Sequence, residues 1–128
     1  MSYYISNTTT GPFEDVIDRT TAALAEEGFG VLTDIDIKAT LKKKLDVDFR
    51  NYRILGACNP PFAHQALLAE SHIGTMLPCN VIVQEHDNGD IEVSAVDPEA
   101  SMMSVENDEL AKIAGDVRAR LERAVNKI

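Results

Sequence analysis

The spacing of apolar residues changes period at Gly28, and that change limits the fold more than any other feature of the chain. Before it, Phe13, Val16, Ile17, Thr20 and Leu24 recur at helical intervals. After it, Phe29, Val31, Thr33, Ile35 and Ile37 alternate with Gly30, Leu32, Asp34 and Asp36, the two-residue repeat of a strand with one buried face. Gly28 supplies the left-handed stop that ends a helix cheaply. A helix over about 12–27 that runs straight into a strand needs helix and sheet in the same packed unit.

The rest of the chain punctuates itself in the same way. Ser2-Tyr3-Tyr4-Ile5 reads as a first strand, and Ala39 to Leu45, with Leu41 and Leu45 one turn apart beside Lys42-Lys43-Lys44, as a short surface helix. A strand follows at about 50–58, where Tyr52, Ile54, Gly56 and Cys58 alternate with Arg53, Leu55 and Ala57. Asn59-Pro60-Pro61 combines a capping residue with prolines suited to a first helical turn, so a helix is expected over 60–71. Asn80 to Gln84 is strand-like, Asn88-Gly89 is a hairpin signal, and Ile91 to Val96 returns. A two-residue loop would set Asp87 against Asp90 and Glu85 against Glu92, so the hairpin tip must be solvated or wider. After a connector with Met102 and Met103, Asn107 caps a helix whose stripe runs through Leu110, Ile113, Ala114, Val117, Leu121, Ala124, Val125 and Ile128. The order is β-α-β-(α)-β-(α)-β-β-α. It implies a single α+β domain over 1–128, a two-layer structure with a mainly antiparallel sheet of about five strands and two long helices on one face.

Size and charge narrow the function. At 14.0 kDa the chain folds into one domain and buries about two-thirds of its surface unaided, since scaling gives roughly 6,700 Å² folded against roughly 20,000 Å² unfolded. The 12 basic residues stand against 21 acidic ones, a net charge of −9, which sets nucleic acid and anionic membranes aside as partners. The apolar runs are too short to span a bilayer. A strand rather than a leader at the start, and two cysteines in a chain that needs no staple, place the protein in the cytoplasm with free thiols.

Chemistry concentrates in Gly56-Ala57-Cys58-Asn59-Pro60-Pro61. Cys58 ends a strand just before a helix N-terminus, whose free N–H groups favour a thiolate. Cys79 starts the next strand, within Leu77-Pro78-Cys79-Asn80. If the two strands pair antiparallel, both cysteines reach the same end of the sheet. The competing reading makes each a small buried hydrophobe. His64 follows Cys58 on the same helix, but C-x20-C is not a zinc pattern and no His pair stands at ligand spacing, so any metal is left open. His72 and His86 are weaker ligand candidates, and His86 reads as a solvated hairpin residue. Asp34 and Asp36 share a strand face that reads as solvent-exposed. No nucleophile elbow, phosphate loop or dinucleotide fingerprint is present.

Four segments, Glu27-Gly28-Phe29-Gly30-Val31-Leu32-Thr33, Ile54-Leu55-Gly56-Ala57-Cys58-Asn59-Pro60-Pro61, Leu77-Pro78-Cys79-Asn80-Val81 and Val93-Ser94-Ala95-Val96-Asp97-Pro98, resemble the signature segments of the bacterial and archaeal domain of unknown function 302. The resemblance implies a TATA-box-binding-protein-like α+β fold with a curved antiparallel sheet, and a homodimer. It implies no DNA binding. It also puts Cys58, Asn59, Pro60, Pro78 and Cys79 at recurrent motif positions. The expectation is a cytoplasmic homodimeric module that binds a small molecule, a thiol-reactive species or a soft metal. Its site would hold Cys58 and Cys79, with Asn59, Pro60, His64, Asn80 and Asp97 as ligand-binding residues. The alternatives are a thiol-dependent enzyme, with Cys58 as nucleophile and Cys79 resolving, and a structural or interaction protein with buried cysteines.

Overall fold

A computed structural model describes residues 2–128. The elements are β1 (Tyr4–Thr9), α1 (Phe13–Glu26), β2 (Gly30–Asp36), α2 (Ile37–Leu45), β3 (Tyr52–Cys58), α3 (Pro60–Ala69), a 3-10 helix (Ser71–Met76), β4 (Cys79–Glu85), β5 (Ile91–Val96), α4 (Pro98–Ser101) and α5 (Asp108–Asn126). Five strands form one sheet in the order β1-β5-β4-β3-β2, and every neighbouring pair is antiparallel.

The core forms where α1 and α5 press their apolar stripes onto one face of this sheet. Val16, Ile17 and Leu24 from α1 and Leu110, Val117, Leu121 and Val125 from α5 meet Leu55, Val81, Val83, Ile91, Val93 and Ala95 from the strands. Fully burying each of the larger side chains is worth about 1.5–3 kcal/mol. The opposite face carries Tyr52, Ile54, Asn80, Ile82, Gln84, Glu92 and Ser94, by alternation with those core positions. None of the long helices covers it.

Three features depart from the sequence reading. Phe29 to Ile37 do not share one face, because β2 carries a bulge: Val31 pairs with Ala57, Thr33 pairs with Gly56, and Leu32 is left between them. The extra residue reverses the alternation, so Phe29 faces the core while Ile35 and Leu32 are exposed. The hairpin loop is wider than two residues. Glu85 pairs with Ile91, the His86 N–H donates to the Asp90 carbonyl and the Gly89 N–H to the His86 carbonyl, and Gly89 adopts φ +90°. Glu85 therefore does not oppose Glu92. Two short helices, α4 and the 3-10 turn, replace expected connectors, and Pro98 at the first position of α4 explains one of them.

Candidate functional site

The end of β3 and the beginning of β4 are partners in the sheet. Ala57 stands across from Cys79, so Cys58 and Cys79 occupy the same end of the sheet. Both are free thiols, Cys58 half-buried and Cys79 buried. Both border a cavity of about 290 Å³ enclosed by this end of the sheet, α3 and the first half of α5.

The cavity exists because the surrounding elements present small side chains at that point. Ala57 comes from β3, Ala63 and Ala66 from one face of α3, and Ala114 from α5. Larger apolar groups complete the wall: Phe29, Phe62, Ile113, Val117 and Met102. Leu32, on the bulge, and Leu67, on α3, also line it while remaining 68% and 44% exposed, which marks the mouth. Among the described residues, none that lines this space carries a charge.

A polar frame outside the cavity holds its walls in place. The Asn59 amide donates to the Glu27 carbonyl at 3.2 Å, across the end of α1. Gly28 has φ +88°, and a Cβ there would meet Asn59 Nδ2 at 3.0 Å, so this turn requires glycine on both counts. Arg123 donates to Glu27 Oε1 at 3.1 and 2.9 Å, and Lys127 donates to Oε2 at 3.1 Å. Those hydrogen bonds hold the Glu27 carboxyl below the usual carboxylate range. Arg120 lies over the Phe62 ring at 5.3 Å. On the other side, Asp97 accepts from the Glu99 N–H at 3.0 Å to cap α4 and from Arg118 Nε at 3.1 Å. That pairing fixes α4, and with it Met102, to α5. Asn107 donates to the Ala69 carbonyl at 3.0 Å while capping α5.

Burial pushes the Cys79 thiol up to about 11, with the neighbouring Cys58 adding to the rise. Cys79 is thus a protonated, apolar part of the wall at neutral pH. Among the described residues, no three His, Cys, Asp or Glu side chains are grouped to hold a metal ion.

The structure separates the other residues named from the sequence. Asn59 borders the cavity, but its side chain latches α1 and does not cap α3. Pro60 opens α3 on the surface, outside the cavity lining. His64 is exposed on α3 and does not line the cavity. Asn80 is exposed in the groove on the opposite sheet face. Asp97 is committed to the α4 cap and to Arg118. His86 bonds to Glu92 at 2.9 Å rather than standing free in solvent. Asp34 grips Arg53 through two bonds of 2.8 and 2.6 Å. The alanine and phenylalanine walls were missed by a search for reactive side chains. The signal available was the spacing of Ala63 and Ala66, three apart on a helix.

A two-layer α+β domain with an uncharged cavity at one end of its antiparallel sheet is the class of protein these features define. Residues 5–128 match the family described as Domain of unknown function DUF302, and the chain belongs to that family. The chain is similar to a solved structure described as an uncharacterized conserved protein DUF302 from Bacillus stearothermophilus. The two share 26% identity and superpose with a TM-score of 0.92 over 99% of this chain and 98% of the other. No curated protein matches the chain.

Proposed function

We propose that the protein is a small-molecule-binding module whose site is the cavity bordered by Cys58 and Cys79. One observation carries this reading: an apolar space of about 290 Å³, near the lower end of the roughly 300–1,000 Å³ usual for ligand sites. Polar and ionic contacts outside the cavity hold its walls apart. The thiols border the site and report on its occupancy. The position of Cys79 supports a binding role over thiol catalysis, because a buried thiol with a raised pKa is a poor resolving group at neutral pH. Two cysteines without a third ligand among the described residues fall short of a zinc site.

The test is to titrate the 15N-labelled protein with indole, hexanoate and Cd²⁺ in turn. The reading predicts that amide shifts gather at Phe29, at Ala57 to Leu67, at Leu77 to Cys79 and at Met102. Shifts confined to the opposite sheet face, or none with any probe, would overturn it.

The cytoplasm is the compartment that suits two neighbouring free thiols. No helix among the described residues is long and apolar enough to cross a membrane. The sheet face that lacks long helices is the surface we assign to a second copy. It exposes Tyr4 and Ile35 beside half-buried Ile54, Ile82 and Val96, and such a face buries itself when two copies meet about a two-fold axis. A monomer in sedimentation at micromolar concentration would contradict that assignment.

A further inference from the structure

The chemistry of the wall selects the ligand more narrowly than the cavity reading on which this step rests. We infer that the site takes an uncharged, predominantly apolar small molecule, such as a fused aromatic ring system or a medium-length hydrocarbon chain, inserted past Leu32 and Leu67.

Three observations support this. The polar side chains bordering the space are Cys58, Cys79 and Asn59, none of them charged, and Asn59 donates to the Glu27 carbonyl. A ligand carboxylate, phosphate or amine drawn inside would find no counter-charge, and burying an unpaired charge is costly enough to exclude it. Of the cations around the site, Arg123 and Lys127 are engaged on Glu27 and Arg118 on Asp97, while Arg120 lies over the Phe62 ring, donates to the Glu27 carbonyl and is not part of the lining. A net charge of −9 makes an anionic ligand less favourable still. Volume sets the upper size. An apolar cavity of about 150 Å³ admits benzene, so one of about 290 Å³ accommodates two fused rings or a chain of comparable bulk. Met102, an unbranched side chain in the wall, adapts to differences in shape.

The experiment compares naphthalene and 1-octanol with octanoate, Cd²⁺ and N-ethylmaleimide by thermal shift and by competition. The proteins are wild type, Ala63→Leu and Ala66→Leu, two substitutions that fill the space from α3. In the wild type, naphthalene and 1-octanol raise Tm in proportion to the logarithm of their concentration above Kd, and each displaces the other. Octanoate binds at least tenfold more weakly than 1-octanol. Both leucine variants lose the stabilisation by naphthalene. Octanoate binding as tightly as 1-octanol overturns the inference and leaves the cavity reading intact. So does a response to Cd²⁺ or N-ethylmaleimide alone that requires Cys58. Apolar probes that stabilise the wild type and both leucine variants equally place binding elsewhere, and a flat response to every probe overturns both readings. Should the leucine variants fail to fold, nuclear Overhauser contacts from bound 1-octanol to the Ala66 and Val117 methyl groups decide the matter in the wild type. Their presence supports the inference, and contacts only to the opposite sheet face refute it.

Discussion

Cys79 should behave as a wall residue, and its reactivity follows from its surroundings. Burial raises its pKa from the ordinary 9.0 to about 11. At pH 7.5 about one Cys79 in 3,000 is then ionised, against about one in 30 for an unperturbed thiol, a hundredfold deficit. A more basic thiolate is a better nucleophile. With a Brønsted slope of about 0.4–0.5 that recovers roughly six- to tenfold, leaving Cys79 about ten- to fifteenfold slower before shielding is counted. The assay is exchange with a dipyridyl disulfide followed by peptide mapping, run on the native protein and on the same chain in urea. Cys58, partly exposed, labels first in the native protein. The Cys79 rate should keep climbing tenfold per pH unit until near pH 11. The same shift couples to stability. Because the folded-state value is raised, the contribution of protonated Cys79 is complete below pH 9 and is lost as pH rises towards 11. About two units correspond to a full loss of roughly 3 kcal/mol. Urea unfolding at pH 8 and pH 10.5 should show about two-thirds of this fall, and Cys79→Ala should remove it. Native Cys79 reacting at pH 7.5 as fast as the unfolded chain would refute the reasoning.

Other substitutions probe the frame around the cavity. Asn59→Ala removes the shorter of two donors to the buried Glu27 carbonyl, leaving the 3.4 Å bond from Arg120, and should cost about 0.5–1.5 kcal/mol, read as a fall in Tm of about 2–6 °C for a domain of this size. The Glu27 carboxyl is held below its ordinary value of 4.5 by Arg123 and Lys127. Its contribution to stability is therefore present above that value and lost as pH falls through the lowered one. Glu27→Gln should flatten the acid limb of a stability-against-pH curve, and an unchanged limb would count against the ion cluster. Gly56→Ala would push a methyl group against Thr33 Oγ1 and to 2.7 Å from Pro78 Cγ. Overpacking of this kind costs about 1–3 kcal/mol. Chemical denaturation should show that loss, with partial recovery in the Gly56→Ala, Thr33→Ala double variant.

Much of the fold was legible because periodicity is a direct consequence of burying one face. The stripe from Leu110 to Val125 led to the helical side of the observed core, and the strand signals at 50–58, 80–84 and 91–96 led to three neighbouring strands of the sheet. That Cys58 and Cys79 share one end of the sheet followed once β3 and β4 were taken as antiparallel partners, since such a partner begins where β3 ends. The bulge at Leu32 was not legible. Its cause is a mismatch in register between β2 and β3, which no single strand's pattern reveals. Asn59 shows the other limit. A capping residue before two prolines reads as an N-cap, yet the side chain serves α1, a partner 32 positions away. Cavities are harder still, because emptiness arises from alanines on β3, α3 and α5 converging in space. The reactive residues drew attention to the end of the sheet where the cavity lies, while the cavity wall is made mostly of small and apolar ones. His64 and Asn80 share that stretch of sequence with the cysteines, but the helix surface and the opposite sheet face carry them away from the cavity.

The most direct test of the account is a crystal structure of the protein grown with naphthalene. The account predicts density for two fused rings among Phe29, Phe62, Ala66, Met102 and Val117, within van der Waals contact of the wall and with the Glu27 to Asn59 bond unbroken. Density only on the open sheet face beside Tyr52 and Ile82, or a collapsed cavity with no ligand density at saturating naphthalene, would contradict it.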